Sequence, residues 1–348
     1  MTSTPADPAP RPEWRLYRGT GQPIDGDLAD ILPPPPPWRL FAGGPVLPDP
    51  VDDPQEATRR LGTPRAVPPA DAAQVNAVNA ALYLRRPLLV TGRPGTGKSS
   101  LAYRIARELK LGRVLRWPVT SRTRLLSGLY DYDAIGRVQA AGARQAGASD
   151  LPPEADTHIG TFVRLGPLGT ALLPHRKPRV LLIDELDKGD ADLPNDLLSV
   201  FEEGEYLIPE LARLASYEPD VTVFTADPDG RAEVHHGLVR CREFPVVIIT
   251  SNGEREFPPA FLRRCLRLEL PAPGVQDLVS MVSAHFPHER PPGVDNLVET
   301  FVARDRSEGG LAADQLLNAV HLATSGAYQH DDVWPQLRDS LWRRLSSE

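Results

Sequence analysis

The run TGRPGTGKSS, residues 91–100, sets Gly92 and Gly97 five positions apart and follows them with Lys98 and Ser99. Glycines at that spacing let backbone N–H groups wrap a phosphate, and the start of a following helix adds its positive dipole end. Lys98 then reaches the outer phosphates of a nucleoside triphosphate and the Ser99 hydroxyl ligates a magnesium ion. The stretch Gly92, Arg93, Pro94, Gly95, Thr96, Gly97, Lys98, Ser99 and Ser100 is therefore the candidate phosphate cradle. A second signal is RVLLIDELDK, in which an apolar run ends in two carboxylates, Asp184 and Glu185. Asp184 would share the metal with Ser99, while Glu185 orients and deprotonates an attacking water. A third is PVVIITSN, where an apolar run ends in Asn252, an amide with donors and an acceptor for both a terminal phosphate and a water.

These residues need a scaffold that brings three strand ends to one edge. Short apolar runs at Pro87–Thr91, Val114–Val119, Val180–Ile183, Val246–Thr250 and Leu266–Leu270 read as buried strands, with helical or polar stretches between them. The alternation predicts a parallel sheet covered on both faces, an αβα sandwich of the P-loop NTPase type. The helical pattern of LAYRIAREL directly after the cradle supplies the required helix. Asp133–Thr157 and Tyr206–Glu243 read as two excursions, the second carrying a hairpin or loop at TADPDG. After Pro271 only helical patterns remain, at Val275–Ser283, Val294–Ala303, Ala312–Thr324 and Val333–Leu345.

At the other end, 17 of the 38 prolines precede Ala70, including the run Pro33–Pro37, which excludes a continuous helix or central strand. Trp14, Leu16, Tyr17, Ile31, Leu32, Trp38 and Phe41 are too many apolar residues for a plain linker, so this segment reads as an arm that packs on the globular body or on a neighbour; a docking motif for a separate partner is the alternative. The expected division is an arm over residues 1–70, an α/β core over 71–270 and a helical lid over 271–348.

Composition sets outer limits. A net charge of −7 gives no support to sequence-independent nucleic-acid binding, which needs a concentrated positive field. Cys241 and Cys265 lack metal-site spacing and read as free thiols of a reducing compartment. With no secretory pattern and no run near the roughly 18 apolar residues of a membrane span, the expectation is a soluble cytoplasmic protein. His235 and His236 read as loop residues, and His285 and His288 as solvated side chains.

GRPGTGKS, LLIDELDK, IITSN and FPPAFLRRC, in this order, resemble the AAA+ ATPases, and in particular their MoxR-like branch, related to the dynein-type modules. The resemblance spans roughly residues 76–323. It includes SRTRLLSGLYDYD and GTFVRLGPLGTALL, which are similar to the branch's insertion in the second helix, and DADLPNDLLSVFEEGEYLIPEL, similar to the helix after its acidic motif. It implies ATP and Mg2+ as cofactors, a five-stranded AAA+ core with a C-terminal helical lid, and a ring, usually a hexamer, with an arginine finger donated by the neighbour. That finger falls on Arg264, with Arg263 as the alternate. The substrate-facing loop would lie at about Thr157–Leu165, and Thr120 or Ser121 could restrain Glu185 until substrate engages. The implied activity is chaperone-like remodelling of a client protein, with a von Willebrand factor A domain partner as one form. A nucleotide-gated switch in a signalling or defence assembly, and a nucleic-acid motor, stand as alternatives. One departure is that EGGLAADQLL carries Gly309 and Gly310 where the family places a basic lid residue, leaving Arg304 or Arg306 as substitutes.

Overall fold

The computed structural model describes residues 14–63, 70–145, 158–287, 294–308, 311–325 and 334–342. The chain enters through two short helices, α1 (Leu28–Ile31) and α2 (Pro54–Leu61). Asp53 caps α2 by accepting from the Glu56 N–H, and Pro54 takes the first position, where its missing N–H costs nothing. There follow α3 (Ala72–Leu84), β1 (Leu88–Thr91), α4 (Lys98–Leu109), β2 (Leu115–Pro118), α5 (Leu125–Leu129), β3 (Tyr130–Tyr132), α6 (Ala134–Gln145), β4 (Val163–Leu165), α7 (Pro167–Ala171) and β5 (Val180–Asp184). Next are α8 (Leu193–Glu203), β6 (Glu205–Leu207), α9 (Pro209–Ala212), β7 (Asp220–Phe224), β8 (Arg231–His235), β9 (Leu238–Arg240), β10 (Val246–Ser251), α10 (Pro259–Arg264) and β11 (Leu266–Glu269). Among the described residues four helices follow: α11 (Val275–His285), α12 (Val294–Glu308), α13 (Ala313–Thr324) and α14 (Trp334–Leu341).

The five apolar runs form one sheet in the order β11-β1-β10-β5-β2, with every pair parallel. Alternate residues serve opposite cores. Leu88, Val90, Val180, Leu182 and Ile248 pack with Leu101 and Ile105 of α4 and Val78 and Leu82 of α3. Leu89, Trp117, Leu181, Ile183 and Ile249 face Leu168, Leu172, Leu197 and Phe201. Because the central strands β1, β10 and β5 are buried on both faces they read as unbroken apolar runs, whereas the edge strands β2 and β11 alternate; each buried leucine or isoleucine contributes about 1.5–3 kcal/mol. This is the expected α/β P-loop sandwich with a five-stranded parallel sheet, followed by a helical C-terminal region.

The two excursions are joined in space. A second, mixed sheet runs β3-β4-β7-β8-β9-β6, so the short strands on either side of the 133–157 excursion, β3 and β4, join strands of the 205–240 region. The β7–β8 hairpin turns at TADPDG, as its composition predicts, and buries Val221, Val223, Ala232 and Val234 on one face. The other four strands are only three residues long, too short to announce themselves by period. Helix α6 has no buried residue, and residues 146–157 of the same excursion lie outside the described residues.

The last four helices surround a core of their own, built on Val298, Phe301, Leu316, Val320 and Trp342. The described arm packs on the body. Leu16, Tyr17 and Leu28 join the α4-side core. The Asn79 side chain accepts from the N–H groups of Leu16 and Tyr17 and donates to the Tyr17 carbonyl. Buried Glu108 accepts from the backbone N–H groups of Arg18, Gly19 and Gly21. Arg39 donates to the carbonyls of Arg85 and Phe201 and stacks on Phe244, which holds the proline-rich turn in place. Among the described residues, no helix is long and apolar enough to cross a membrane.

Candidate active site

At the C-terminal edge of the sheet, β1 ends at Thr91 and the chain turns through Gly92, Gly95 and Gly97, with φ of 150°, 78° and 83°. Only glycine visits such angles without strain. A Cβ on Gly92 would lie 2.7 Å from the Leu270 carbonyl oxygen, and one on Gly95 would lie 2.5 Å from Ala312 Cα, where the lid meets the loop. Helix α4 starts at Lys98 with Gly97 as its N-cap and no side-chain cap, so its first N–H groups face the loop. The Lys98 ammonium sits inside the turn, donating to the carbonyls of Gly92 and Arg93 at 2.7 and 2.8 Å. Burial pulls its pKa down, while Asp187, Glu185 and Asp184 push the other way.

Two strands away, β5 delivers Asp184. Its Oδ1 accepts from Ser99 Oγ at 2.7 Å and from Thr250 Oγ1 at 2.9 Å; its Oδ2 accepts from Arg116 Nη2 at 2.8 Å. Burial acts to raise the Asp184 pKa, but the hydrogen bonds from Ser99, Arg116 and Thr250 outweigh it and hold the carboxyl below its ordinary value. A charged carboxylate and a serine hydroxyl at hydrogen-bond distance are the hard oxygen donors a magnesium ion selects, so the residues fit that ion. Glu185, which lines the cleft, follows in the left-handed region at φ 62°, a conformation that costs a residue with a Cβ about 1 kcal/mol or more. Its backbone N–H donates to Thr250 Oγ1 and its carboxylate pairs with Lys188 at 2.9 Å.

Asn252, just past β10, also lines the cleft, and its position is set by a residue the sequence reading did not single out. Asp187, buried in the turn after β5, accepts from the backbone N–H groups of Asn252 and Glu254. Arg116 and Thr250 are the other two unforeseen members. Alternation along β2 marks Arg116 as a polar residue amid an apolar run, which was the available signal. The cleft measures about 690 Å³, within the range of small-molecule sites, and is walled by the loop, by Tyr17 and Gly19 of the arm, and by Met281, His285 and Asp314 of the lid.

Gly95, Thr96, Gly97, Lys98, Ser99, Ser100, Asp184, Glu185 and Asn252 thus converge on one cleft, with Gly92, Arg93 and Pro94 completing the loop. Arg264 does not join them. It ends α10 on a different face, paired with Glu202 at 2.5 Å and with the Ala260 carbonyl, while the Arg263 carbonyl accepts from Arg86. Arg304 is turned to Asp339 of α14, away from the cleft, and Gly309, Gly310 and the Arg306 side chain lie outside the described residues. The described C-terminal helices instead present Ala313 and Asp314 to the cleft, with His285 of α11 at its wall. The Thr120 hydroxyl pairs with Thr123, not with Glu185. His285 is half-buried at the cleft wall, a correction to its reading as solvated, because the end of α11 packs against α2 and the turn at Gly62 and Thr63. Of the expected substrate-facing loop, His158–Leu165 forms a turn and β4 inside the second sheet, and Thr157 lies outside the described residues. Among the described residues no His/Cys/Asp/Glu cluster could hold a metal; His235 pairs with Asp220, and burial pushes the Cys241 thiol up to about 12.

No curated protein matches the chain. Among solved structures, the crystal structure of the FIGL-1 AAA domain in complex with ADP is similar over 76% of this chain and 74% of its own, at 14% identity and a TM-score of 0.36, too distant to add to the argument. The sequence profile of the AAA domain (dynein-related subfamily) matches residues 87–265, which begins just before β1, ends just after α10 and contains the phosphate loop, Asp184, Glu185, Asn252 and Arg264. That match covers more than half of the chain and coincides with the sheet whose edge builds the cleft, so the chain belongs to the dynein-related subfamily of AAA domains.

Proposed function

We propose that this protein is an ATP-hydrolysing motor of the MoxR-like kind, working as a ring, hexameric by resemblance, in the cytoplasm. The observation that carries the reading is the 2.7 Å contact between Ser99 of the loop and Asp184 of β5, directly under Glu185. In this reading Gly92–Ser100 hold the phosphates through backbone N–H groups and the Lys98 ammonium, which exchanges its carbonyl partners for phosphate oxygens. Ser99 and Asp184 hold Mg2+, which when bound neutralises charge on the phosphoryl oxygens. Glu185 leaves Lys188 and accepts the proton of the attacking water as the γ-phosphate bond to ADP breaks. Asn252, held by Asp187, orients that water. Arg264 lies off its own cleft, which suits a finger that completes the site of the adjacent subunit, where it would leave Glu202.

Residues 1–70, 71–270 and 271–348 act in this reading as arm, core and lid, and the separate hydrophobic core of the last four helices supports a lid that moves as a body. The work is done on a client protein, a von Willebrand factor A domain being the form the resemblance suggests. A second reading, a slow nucleotide-gated switch, draws on the Glu185–Lys188 pair, which occupies the base. The deciding experiment is phosphate release with ATP and Mg2+ across a protein concentration series. The motor reading expects specific activity to rise with concentration and to vanish in Glu185→Gln and Arg264→Ala, both still binding ATP. Tight ATP binding with no turnover at any concentration, or with client added, would transfer the assignment to the switch.

A further inference from the structure

Arg116 stands on β2, two residues before the position that registers against Asp184. Its guanidinium brings two donors to a single carboxylate oxygen, Nη2 at 2.8 Å and Nε at 3.3 Å from Asp184 Oδ2, while the other oxygen is taken by Ser99 and Thr250. Among the described contacts it is the one cation hydrogen-bonded to that carboxylate. The two partners differ in burial. The Asp184 side chain is 9% exposed, whereas that of Arg116 is 42% exposed and lies along the cleft wall.

That asymmetry separates this pair from the structural one nearby. Arg179 and Asp227 form a two-pronged bridge, both contacts 2.8 Å, with the arginine side chain 1% exposed and unable to leave. Arg116 pairs through one oxygen, keeps half its surface in solvent, and can swing on its flexible stem without moving β2. A pair with one partner this exposed is worth about 1 kcal/mol to stability, so its effect falls mainly on whatever else binds Asp184.

We infer that Arg116 is a tethered counter-ion that competes with the divalent cation for Asp184, so that metal binding displaces the guanidinium into the phosphate cleft. The inference rests on the proposed role of Asp184 as a metal-holding residue. Arg116 is in these terms a positioning residue: it neutralises Asp184 without metal and, once displaced, offers a planar fork of N–H donors at the wall of the cleft.

The test is Mn2+ affinity of the full-length protein with saturating ADP, read from the free-ion electron paramagnetic resonance signal, for wild type, Arg116→Gln, Arg116→Lys and Asp184→Asn. Arg116→Gln should tighten Mn2+ by about fivefold, the weight of one partly exposed ion pair, and Arg116→Lys should stay near wild type. In EDTA without nucleotide, Arg116→Gln should unfold at a lower temperature than wild type, and the gap should close when Mn2+ and ADP are added. Unchanged or weaker Mn2+ binding in a folded Arg116→Gln protein, with Asp184→Asn strongly weakened, overturns the competition alone. Equal Mn2+ affinity in Asp184→Asn and wild type removes the metal role of Asp184, and the inference goes with it.

Discussion

The backbone N–H of Glu185 donates to Thr250 Oγ1 at 2.8 Å, and the same hydroxyl donates onward to Asp184 Oδ1 at 2.9 Å. One buried side chain from β10 thereby holds the Asp184 carboxylate and the Glu185 backbone at the end of β5, with the strained φ of Glu185 locked by a hydrogen bond. Thr250→Val keeps the shape and removes both bonds. It should cost about 1–3 kcal/mol in urea unfolding, the penalty of an unsatisfied buried N–H, and lower phosphate release at least tenfold. Wild-type turnover in a destabilised variant would reduce Thr250 to a packing residue.

Gly95 makes the closest approach between loop and lid. Alanine there must place a Cβ 2.5 Å from Ala312 Cα at a φ of 78°. Gly95→Ala should open the lid and weaken fluorescent ATP-analogue binding by an order of magnitude or more, about 1.4 kcal/mol, leaving the thermal midpoint of the core near wild type. Unaltered affinity would show that lid and loop part freely.

Glu108 ties the arm to the helix that carries Lys98 and Ser99, through the three N–H groups of Arg18, Gly19 and Gly21. Glu108→Ala orphans them, at about 1–3 kcal/mol for each that water cannot reach. The arm should then become a site of rapid trypsin cleavage at Arg18, and because Tyr17 and Gly19 wall the cleft, nucleotide should restore protection only in part. Wild-type digestion kinetics would refute the tie.

Asp227 sits at the turn of the second sheet against buried Arg179. Burial raises its carboxyl pKa, but the bonds and charge of Arg179 prevail and hold it below 3.8. A depressed pKa contributes stability that is complete above the unfolded value and is lost as pH falls through the lower folded one, so this pair should yield only in strong acid, below about pH 4. Asp227→Asn leaves the guanidinium buried without its counter-charge and should cost about 3–5 kcal/mol at pH 7. The difference from wild type in denaturant midpoint should shrink as pH is taken below 4.

Much of the site could be read from the chain alone because its chemistry is local. The spacing of Gly92, Gly97, Lys98 and Ser99 is a property of ten consecutive residues, and Asp184, Glu185 and Asn252 each stand at the end of an apolar run long enough to declare a buried strand. Strand ends of a parallel sheet share one edge, so the order of the runs already implies that these groups meet. The four closing helices were legible for the same reason: their apolar residues recur at helical spacing over 8 to 15 residues.

Tertiary structure decided what depends on partners far apart in sequence. Nothing near Arg116 reveals that its guanidinium lands on Asp184, 68 residues away, or that Thr250 bridges the Glu185 N–H and the Asp184 carboxylate from 65 and 66 residues off. The second sheet was hidden because three-residue strands carry too little period to detect, and it exists only when β4 pairs with β7, Arg164 against Phe224 60 residues on. The arm, whose prolines rule out a continuous helix or central strand, is ordered where described by buried Asn79, Glu108 and Arg39 answering its backbone or reaching from it to the body, a long-range solution that local propensity does not encode.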